Sequence, residues 1–168
     1  MTREEHGKVG VVREAKIIAT NPTDIRKIAQ NWSLAKKERF DIADKFYNKV
    51  GFNNYDNHLR GINFDKDVKI TILNENEYVY QYCYIDDIGE PKIGNYYYKN
   101  ENIDVSKLGF DVEDRVIVRI KLKNSTEFLE SNAANIEDWS GSPKIFEGGE
   151  TQLFSPNVEF SEVTILIK

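Results

Sequence analysis

The segment Gly148-Gly149-Glu150-Thr151-Gln152-Leu153-Phe154 contains the residue types best suited to chemistry in this chain. Two glycines allow the backbone to approach a ligand closely, because no Cβ stands in the way. An acid, a hydroxyl and a carboxamide follow, and the pattern then turns apolar, as at the start of a strand. Polar groups at a strand start can point into a cleft. The plain alternative is a β-turn that leads into a C-terminal strand.

Two polar landmarks precede this segment along the chain. Gln81 lies between Tyr80 and Tyr82 in a predicted strand, and Gly94-Asn95-Tyr96-Tyr97 places aromatic residues directly after a glycine. A carboxamide both donates and accepts hydrogen bonds. The tyrosines are also ordinary strand-forming residues.

Standard catalytic constellations are missing from the sequence. It has no Gly-rich phosphate loop, no Gly-x-Ser-x-Gly elbow and no His-Glu-x-x-His helix. The two histidines, His6 and His58, and the single cysteine, Cys83, leave little material for a metal centre, so we predict no bound metal. His58 with Arg60 could begin a metal-independent ribonuclease site, although a structural histidine at a helix end is the simpler interpretation.

Composition limits the class of protein. The 168 residues are 40% hydrophobic and 30% charged, as in a single globular domain. A net charge of -5 argues against charge-driven binding to nucleic acid or to an anionic membrane. No apolar run reaches the length of a membrane span, and the first residues lack a signal-peptide core. The chain is cytosolic in character, and it can be one piece of a longer protein.

The first third of the sequence predicts helices. Asn21 before Pro22 predicts a capped helix that continues to about Asn31. Ser33 caps a longer helix with apolar residues at helical spacing, and Gly51 ends it. A short helical turn follows around residues 57–59. Residues 1–64 are therefore predicted to form a helical cap packed against the rest of the domain.

Beyond residue 65 the hydrophobic period changes to two, which predicts strands. We expect strands near residues 68–72, 78–84, 116–122 and 158–167, and irregular chain over residues 124–147. In the second strand we expect the four tyrosines to form the packed face. Helices followed by strands without βαβ alternation indicate an α+β domain with a mostly antiparallel sheet. Residues 65–168 form its predicted β-rich core.

The order of the polar motifs resembles a known fold. A polar residue between aromatics on a strand, then Gly-x-Tyr-Tyr, then a polar residue on a late strand resembles the His-Tyr-Glu branch of the ADP-ribosyltransferase fold. Residues 148–152 resemble the Gly-Gly-Gly-x-Gln-Tyr motif of tuberculosis necrotizing toxin-like NAD glycohydrolase domains. The whole arrangement, with residues 13–15 and 58–62, resembles C-terminal toxin domains of bacterial polymorphic toxins, most closely polymorphic toxin type 46. This implies a split sheet that grips NAD.

The resemblance implies a role for each motif. Gln81 contacts the adenosine ribose, Tyr96 stacks on the nicotinamide ring, and Gln152 takes the position of the catalytic glutamate against the nicotinamide-side ribose. The two glutamines stand where the fold has histidine and glutamate. Glu150 can restore the missing negative charge, because residues two apart lie on one side of a strand. The predicted catalytic residues are Gln152, Glu150 and Tyr96. The other predicted NAD-binding residues, which flank or brace these, are Tyr80, Gly94, Tyr97, Ser131, Asn132, Gly148, Gly149 and Thr151, together with Gln81.

The resemblance implies an antibacterial toxin domain with NAD as its substrate. Hydrolysis of the nicotinamide–ribose bond is favoured over ADP-ribosyl transfer to a protein or RNA, because the motif glutamine is shared with a glycohydrolase. A cognate immunity protein is the implied partner, and no membrane partner is implied. The domain would be secreted or delivered from the cell surface within a larger toxin, and would act in the target-cell cytoplasm. A His58-based ribonuclease and a non-catalytic interaction module remain open alternatives.

Overall fold

A computed structural model describes residues 24–109, 112–137 and 145–166 of the chain. Short helices lead into antiparallel strands, which confirms the predicted α+β class. The helices are α1 (Ile25–Ala29), α2 (Leu34–Lys49) and α3 (Asp56–Leu59). The strands are β1 (Lys69–Leu73), β2 (Tyr78–Cys83), β3 (Tyr96–Tyr97), β4 (Val116–Leu122), β5 (Thr126–Asn132), β6 (Ile136–Glu137), β7 (Ile145–Phe146), β8 (Thr151–Phe154) and β9 (Phe160–Ile165).

The β-sheet is split, as expected. Four strands pair in the order β1-β5-β8-β3, and three pair in the order β2-β4-β9. All of these pairs are antiparallel, and β6 pairs with β7 as a separate hairpin. A bridge between Tyr80 and Tyr98 joins the two larger sheets at the end of β3. Strand β8, which begins with the Thr151-Gln152 pair, is therefore an interior strand of the four-stranded sheet.

Two hydrophobic cores hold these layers together. The first lies between the helices and the four-stranded sheet, and the second lies between the two sheets. The first core includes Phe46, Tyr47, Leu59, Leu129 and Phe154. The second includes Val79, Val118, Ile120, Phe128 and Leu153. Because successive strand residues face opposite sides, Leu153 and Phe154 supply one side chain to each core.

The cap boundaries differ from the prediction at the first helix. Asp24, not Asn21, is the N-cap of α1, and its side chain accepts a hydrogen bond from the Lys27 N–H at 3.2 Å. Asn21 and residues 13–15 lie outside the described residues. Ser33 caps α2 as predicted, accepting from the Lys36 N–H at 3.3 Å. Gly51, at φ 76°, ends it.

The predicted irregular chain over residues 124–147 is wrong, because β5 runs from Thr126 to Asn132 in the centre of the larger sheet. Its polar residues hide the strand pattern, but pairing with β1 and β8 on its two sides satisfies its backbone. The alternation of Val68, Ile70 and Ile72 with polar residues predicts a half-buried β1, and this is wrong for Ile70 and Ile72, which are exposed on this edge strand. In β2 the packed face is formed by Val79, Gln81 and Cys83, not by the tyrosines.

Among the described residues, none of the helices combines the length and the hydropathy needed to cross a bilayer.

Candidate active site

Gln152 lies on the side of the four-stranded sheet that faces the helices. Its side chain is buried, and its Nε2 donates to the Ser131 Oγ at 3.2 Å and to the Gly61 carbonyl at 3.4 Å. Ser131, also buried, stands directly opposite Gln152 in the β5–β8 register. Buried polar side chains are much rarer than buried apolar ones, so a hydrogen-bonded polar pair beside an apolar core is a stronger indication of a functional site than the core itself. Because the Gln152 Nε2 makes both hydrogen bonds, the Oε1 is the atom of this carboxamide that they do not use.

Tyr96 lies on the same sheet face, opposite Phe154 in the β3–β8 register. Its hydroxyl is 2.8 Å from the Tyr47 hydroxyl and 2.8 Å from the His58 Nδ1. The His58 ring stacks on the Tyr96 ring with 5.8 Å between centroids and 9° between planes. Burial and the neighbouring Tyr96 hydroxyl raise the pKa of Tyr47 well above its ordinary value. The predicted aromatic site residue is therefore held by two residues of the helical cap.

An ion cluster fastens the helices that carry Tyr47 and His58. Arg26 of α1 reaches Asp44 of α2 and Asp56 of α3, both at 2.9 Å. The Tyr55 hydroxyl donates to Asp44 at 2.6 Å. Partial burial alone would raise the pKa of Asp44, but the hydrogen bonds from Arg26 and Tyr55 hold it below its ordinary value. The cluster sets the position of α3 and hence of His58.

Gln81 projects from β2 into the space between the sheets, where its carboxamide binds the protein's own backbone. Its Nε2 donates to the carbonyls of Gly94 and Tyr96 at 3.2 and 2.7 Å, and its Oε1 accepts from the Gly94 N–H at 2.7 Å. The residue is 4% exposed. These three bonds position the chain that leads into Tyr96. Contact between Gln81 and a ribose stays a prediction.

Gly148 and Gly149 are required by the packing of the chain itself. A Cβ on Gly148 would lie 2.3 Å from the Ala134 carbonyl oxygen, so no larger residue fits. Gly149 adopts φ 121°, and its N–H donates to the Ala133 carbonyl at 2.8 Å. The Gly148 N–H donates to the Asn135 Oδ1 at 2.8 Å. The two glycines therefore allow the loop after β5 to pack closely against the chain that leads into β8.

The residues around Gln152 in sequence point in different directions. Thr151 and Asn132 are paired in register on the opposite sheet face from Gln152. The Glu150 carboxylate accepts from the Asp104 N–H at 3.4 Å, beside the short 3-10 helix Val105–Lys107. Glu150 precedes the first residue of β8, directly after the left-handed Gly149. The structure does not pair its carboxylate with the Gln152 carboxamide.

The predicted aromatic neighbours also divide between the two faces. Tyr97 is buried in the core between the sheets, and that burial raises its pKa. Tyr80 is half-buried on the side of β2 away from Gln81. Gly94 is exposed and contributes its backbone to Gln81. Of the predicted site, the helix-facing sheet side therefore brings together Gln152, Ser131 and Tyr96.

An open cleft of about 370 Å³ begins where this sheet face ends. Its walls come from the helical cap, the chain after α3, the loop after β5 and the glycine pair. The lining residues are Ile25, Trp32, Lys36, Ile62, Asn63, Phe64, Ala133, Ala134, Asn135, Gly148 and Gly149. Gly61, which accepts the Gln152 hydrogen bond, directly precedes lining residue Ile62. The cleft therefore lies next to the Gln152–Ser131 pair, since lining residue Ala133 directly follows β5 and lining residue Gly149 shortly precedes β8.

Sequence reasoning missed two residues at the cleft. It assigned no role to Trp32 or Lys36, yet the Lys36 Nζ lies 4.3 Å from the Trp32 ring centroid at the cleft. Trp32 lies before Ser33, the N-cap of α2, so its contact with Lys36 does not follow from helical spacing. Within the described part of the chain, no group of three or more His, Cys, Asp or Glu side chains could hold a metal ion.

No protein-family model and no curated protein sequence matches the chain. A solved structure does match its fold. Tse6, from the structure of Tse6 in complex with Tsi6, aligns with a TM-score of 0.61 at 19% identity, over 82% of this chain and 100% of the solved chain. The chain has the fold of Tse6. At this identity the likeness to Tse6 concerns the fold, and it agrees with the α+β architecture and the split sheet described above.

Proposed function

We propose that this chain is an antibacterial toxin domain that binds NAD and hydrolyses its nicotinamide–ribose bond. The motif order predicted this activity, and the fold shared with Tse6 is consistent with it. The proposal depends most on one observation. The Gln152–Ser131 pair and Tyr96 lie on one sheet face, and Ala133, Gly148 and Gly149, which are close to that pair in sequence, line a cleft.

In the proposed reaction Gln152 acts on the ribosyl group. Cleavage of a glycosidic bond builds positive charge on the sugar, and an oxygen dipole or carboxylate stabilises that charge. The Gln152 Nε2 is used by Ser131 and Gly61, which orients the Oε1 for this purpose. Glu150 supplies a carboxylate at the start of the same strand. In this proposal the Glu150 carboxylate stabilises the positive charge on the ribose from a greater distance than the Gln152 Oε1 does.

Tyr96 would bind the nicotinamide ring. Its hydroxyl bonds and its stacking on His58 hold the aromatic plane at one angle. A pre-oriented ring costs less entropy on binding than a mobile one. A bound cationic nicotinamide gains from an aromatic face, and this favourable contact is lost when the neutral ring leaves.

The biological setting of the proposal includes a partner and a delivery route. Tse6 was solved in complex with Tsi6. By analogy, we propose that a cognate immunity protein binds this domain and covers the cleft in the producing cell. The domain would be secreted or displayed as part of a larger toxin and would deplete NAD in the cytoplasm of the target cell.

Nicotinamide release from purified domain and NAD tests the reaction. We expect release with NAD alone, and a loss of about 100-fold in kcat/KM for Gln152→Ala, the size seen when one preorganised transition-state contact is removed. Gln30→Ala makes the same change at an exposed residue after α1 and should release nicotinamide like wild type.

The outcome separates the related activities. Release that requires added cell lysate would indicate ADP-ribosyl transfer in place of hydrolysis. No release under either condition would overturn the NAD proposal. RNA degradation that is abolished by His58→Ala would then favour the ribonuclease alternative.

A further inference from the structure

We infer that the cleft between the helical cap and the glycine pair binds the adenosine-phosphate end of NAD, with Lys36 as its phosphate contact. This inference rests on the proposed function, because it takes NAD as the substrate. It assigns the adenine half of the ligand to Trp32, Lys36, Asn63 and Asn135 instead of to Gln81, whose carboxamide is bound to the backbone of Gly94 and Tyr96.

The cleft offers a positioned cation. The Lys36 Nζ lies over the Trp32 ring, 4.3 Å from its centroid, and 3.3 Å from the Asp65 carboxylate. The Trp32 ring is held in turn by Phe40 and Phe64, whose ring centroids lie 5.8 and 5.6 Å away. The lysine is one-quarter exposed, whereas Asp65 is 72% exposed. An exposed ion pair is weak, so a phosphate can replace the carboxylate on Lys36 at little cost.

The remaining walls suit a flat, polar-edged ring. Apolar surface comes from Ile25, Ile62, Trp32 and Phe64, and the carboxamides come from Asn63 and Asn135. Each asparagine uses its Oδ1 on a backbone N–H, of Asp65 and of Gly148 respectively. Each therefore presents an NH2 group that can donate to a base nitrogen. A mostly apolar cleft with a few oriented polar groups and a cation is the usual form of a nucleotide site.

The cleft also lies at a suitable distance from the proposed reacting groups. Gln152 follows Gly149 by three residues, which at the rise of a strand is roughly 10 Å. Ala133 of the cleft follows Ser131 by two residues on the paired strand. A dinucleotide that places its adenosine phosphate at Lys36 is therefore long enough to reach toward Gln152.

AMP binding to the full chain tests this inference without catalysis. The chain has two tryptophans, so a Trp139→Phe background leaves Trp32 as the single fluorescent reporter. We expect AMP to change Trp32 fluorescence saturably, and adenosine to bind about tenfold more weakly because it lacks the charged contact. Lys36→Met should weaken AMP to about the level of adenosine, leaving adenosine itself unchanged.

Two matched variants separate this role from a loss of structure. Lys37→Met removes the same charge from the neighbouring exposed residue, about 100° further round α2, and should bind AMP like wild type. Asp65→Asn removes the carboxylate that competes for Lys36 and should tighten AMP binding a few-fold. A misfolded protein cannot give that gain.

The kinetics of NAD cleavage give a second readout. Lys36→Met should raise KM for NAD about tenfold with little change in kcat, because the contact is made equally in the ground and transition states. If AMP leaves Trp32 fluorescence unchanged while NAD is cleaved, or if Lys36→Met cleaves NAD with an unchanged KM, the inference is overturned and the proposed function stands. AMP binding that depends on Lys36, in a protein that releases no nicotinamide, would keep the nucleotide cleft and overturn the proposed reaction.

Discussion

The His58 Nδ1 lies 2.8 Å from the Tyr96 hydroxyl, and the two rings stack at an angle of 9°. His58 belongs to α3 of the helical cap, whereas Tyr96 begins the short edge strand β3. The same hydroxyl lies 2.8 Å from that of Tyr47, a fully buried residue of α2. The cap is therefore joined to the sheet through polar contacts at the candidate site, in addition to hydrophobic packing.

Tyr96→Phe tests the importance of this junction. The substitution keeps the ring but leaves the buried Tyr47 hydroxyl without its Tyr96 partner, so we expect a loss of about 1–3 kcal/mol in the free energy of unfolding. Nicotinamide release should also fall, because the ring is less firmly oriented. Urea unfolding and the NAD assay measure the two effects. Tyr78→Phe, at a 41% exposed tyrosine, is the matched control and should change neither.

Gln81→Met asks whether Gln81 positions Tyr96 or contacts the ligand. Methionine has similar volume but cannot make the three hydrogen bonds to Gly94 and Tyr96. We expect about 2 kcal/mol of destabilisation, since the Gly94 N–H and the carbonyls of Gly94 and Tyr96 lose their partner and an apolar side chain takes the place of a buried, hydrogen-bonded one. Gln30→Met is the exposed control. A higher KM for NAD with unchanged urea stability would instead indicate direct contact with the ribose, as the sequence predicted.

Much of the fold could be predicted because the relevant signals are local. Ser33 and Gly51 mark the ends of α2, and the alternating apolar residues of β4 define a strand without any knowledge of its neighbours. Strand β5 could not be predicted in this way. Its residues Glu127, Glu130 and Asn132 favour strands only weakly, and pairing on both sides stabilises the strand.

The candidate site was predictable only where the relevant contacts follow strand periodicity. Gln152, Ser131 and Tyr96 do share one face, as strand register requires. Periodicity does not extend to Glu150, because Glu150 precedes β8 and its carboxylate accepts from the Asp104 N–H. The position of Trp32 and Lys36 at the cleft depends on how α2 and the residue before its N-cap pack near Gly148 and Gly149, more than 100 residues away. No local pattern contains that information.

Gly148→Ala tests whether the glycine pair is needed for internal packing. The new Cβ would lie 2.3 Å from a backbone oxygen that cannot move independently of the loop, so we expect about 3 kcal/mol of destabilisation. Gly51→Ala is the comparison, since Gly51 has φ 76° and no atom within 4 Å of the new Cβ. Strain alone should cost it about 1 kcal/mol. Equal losses in urea unfolding would contradict the close packing inferred for Gly148.

Acid should weaken the attachment of the helical cap through Asp44. Hydrogen bonds from Arg26 and Tyr55 lower the folded-state pKa of Asp44 below the unfolded value of 3.8, against the opposing effect of burial. The stabilisation is therefore complete above the unfolded pKa and is lost as the pH falls through the lower, folded pKa. Urea unfolding as a function of pH should show this loss in wild type and a smaller one in Asp44→Asn. Asp41→Asn, on an exposed part of the same helix, should retain the wild-type acid dependence, and a profile like that of Asp44→Asn would show that the effect is not specific to Asp44.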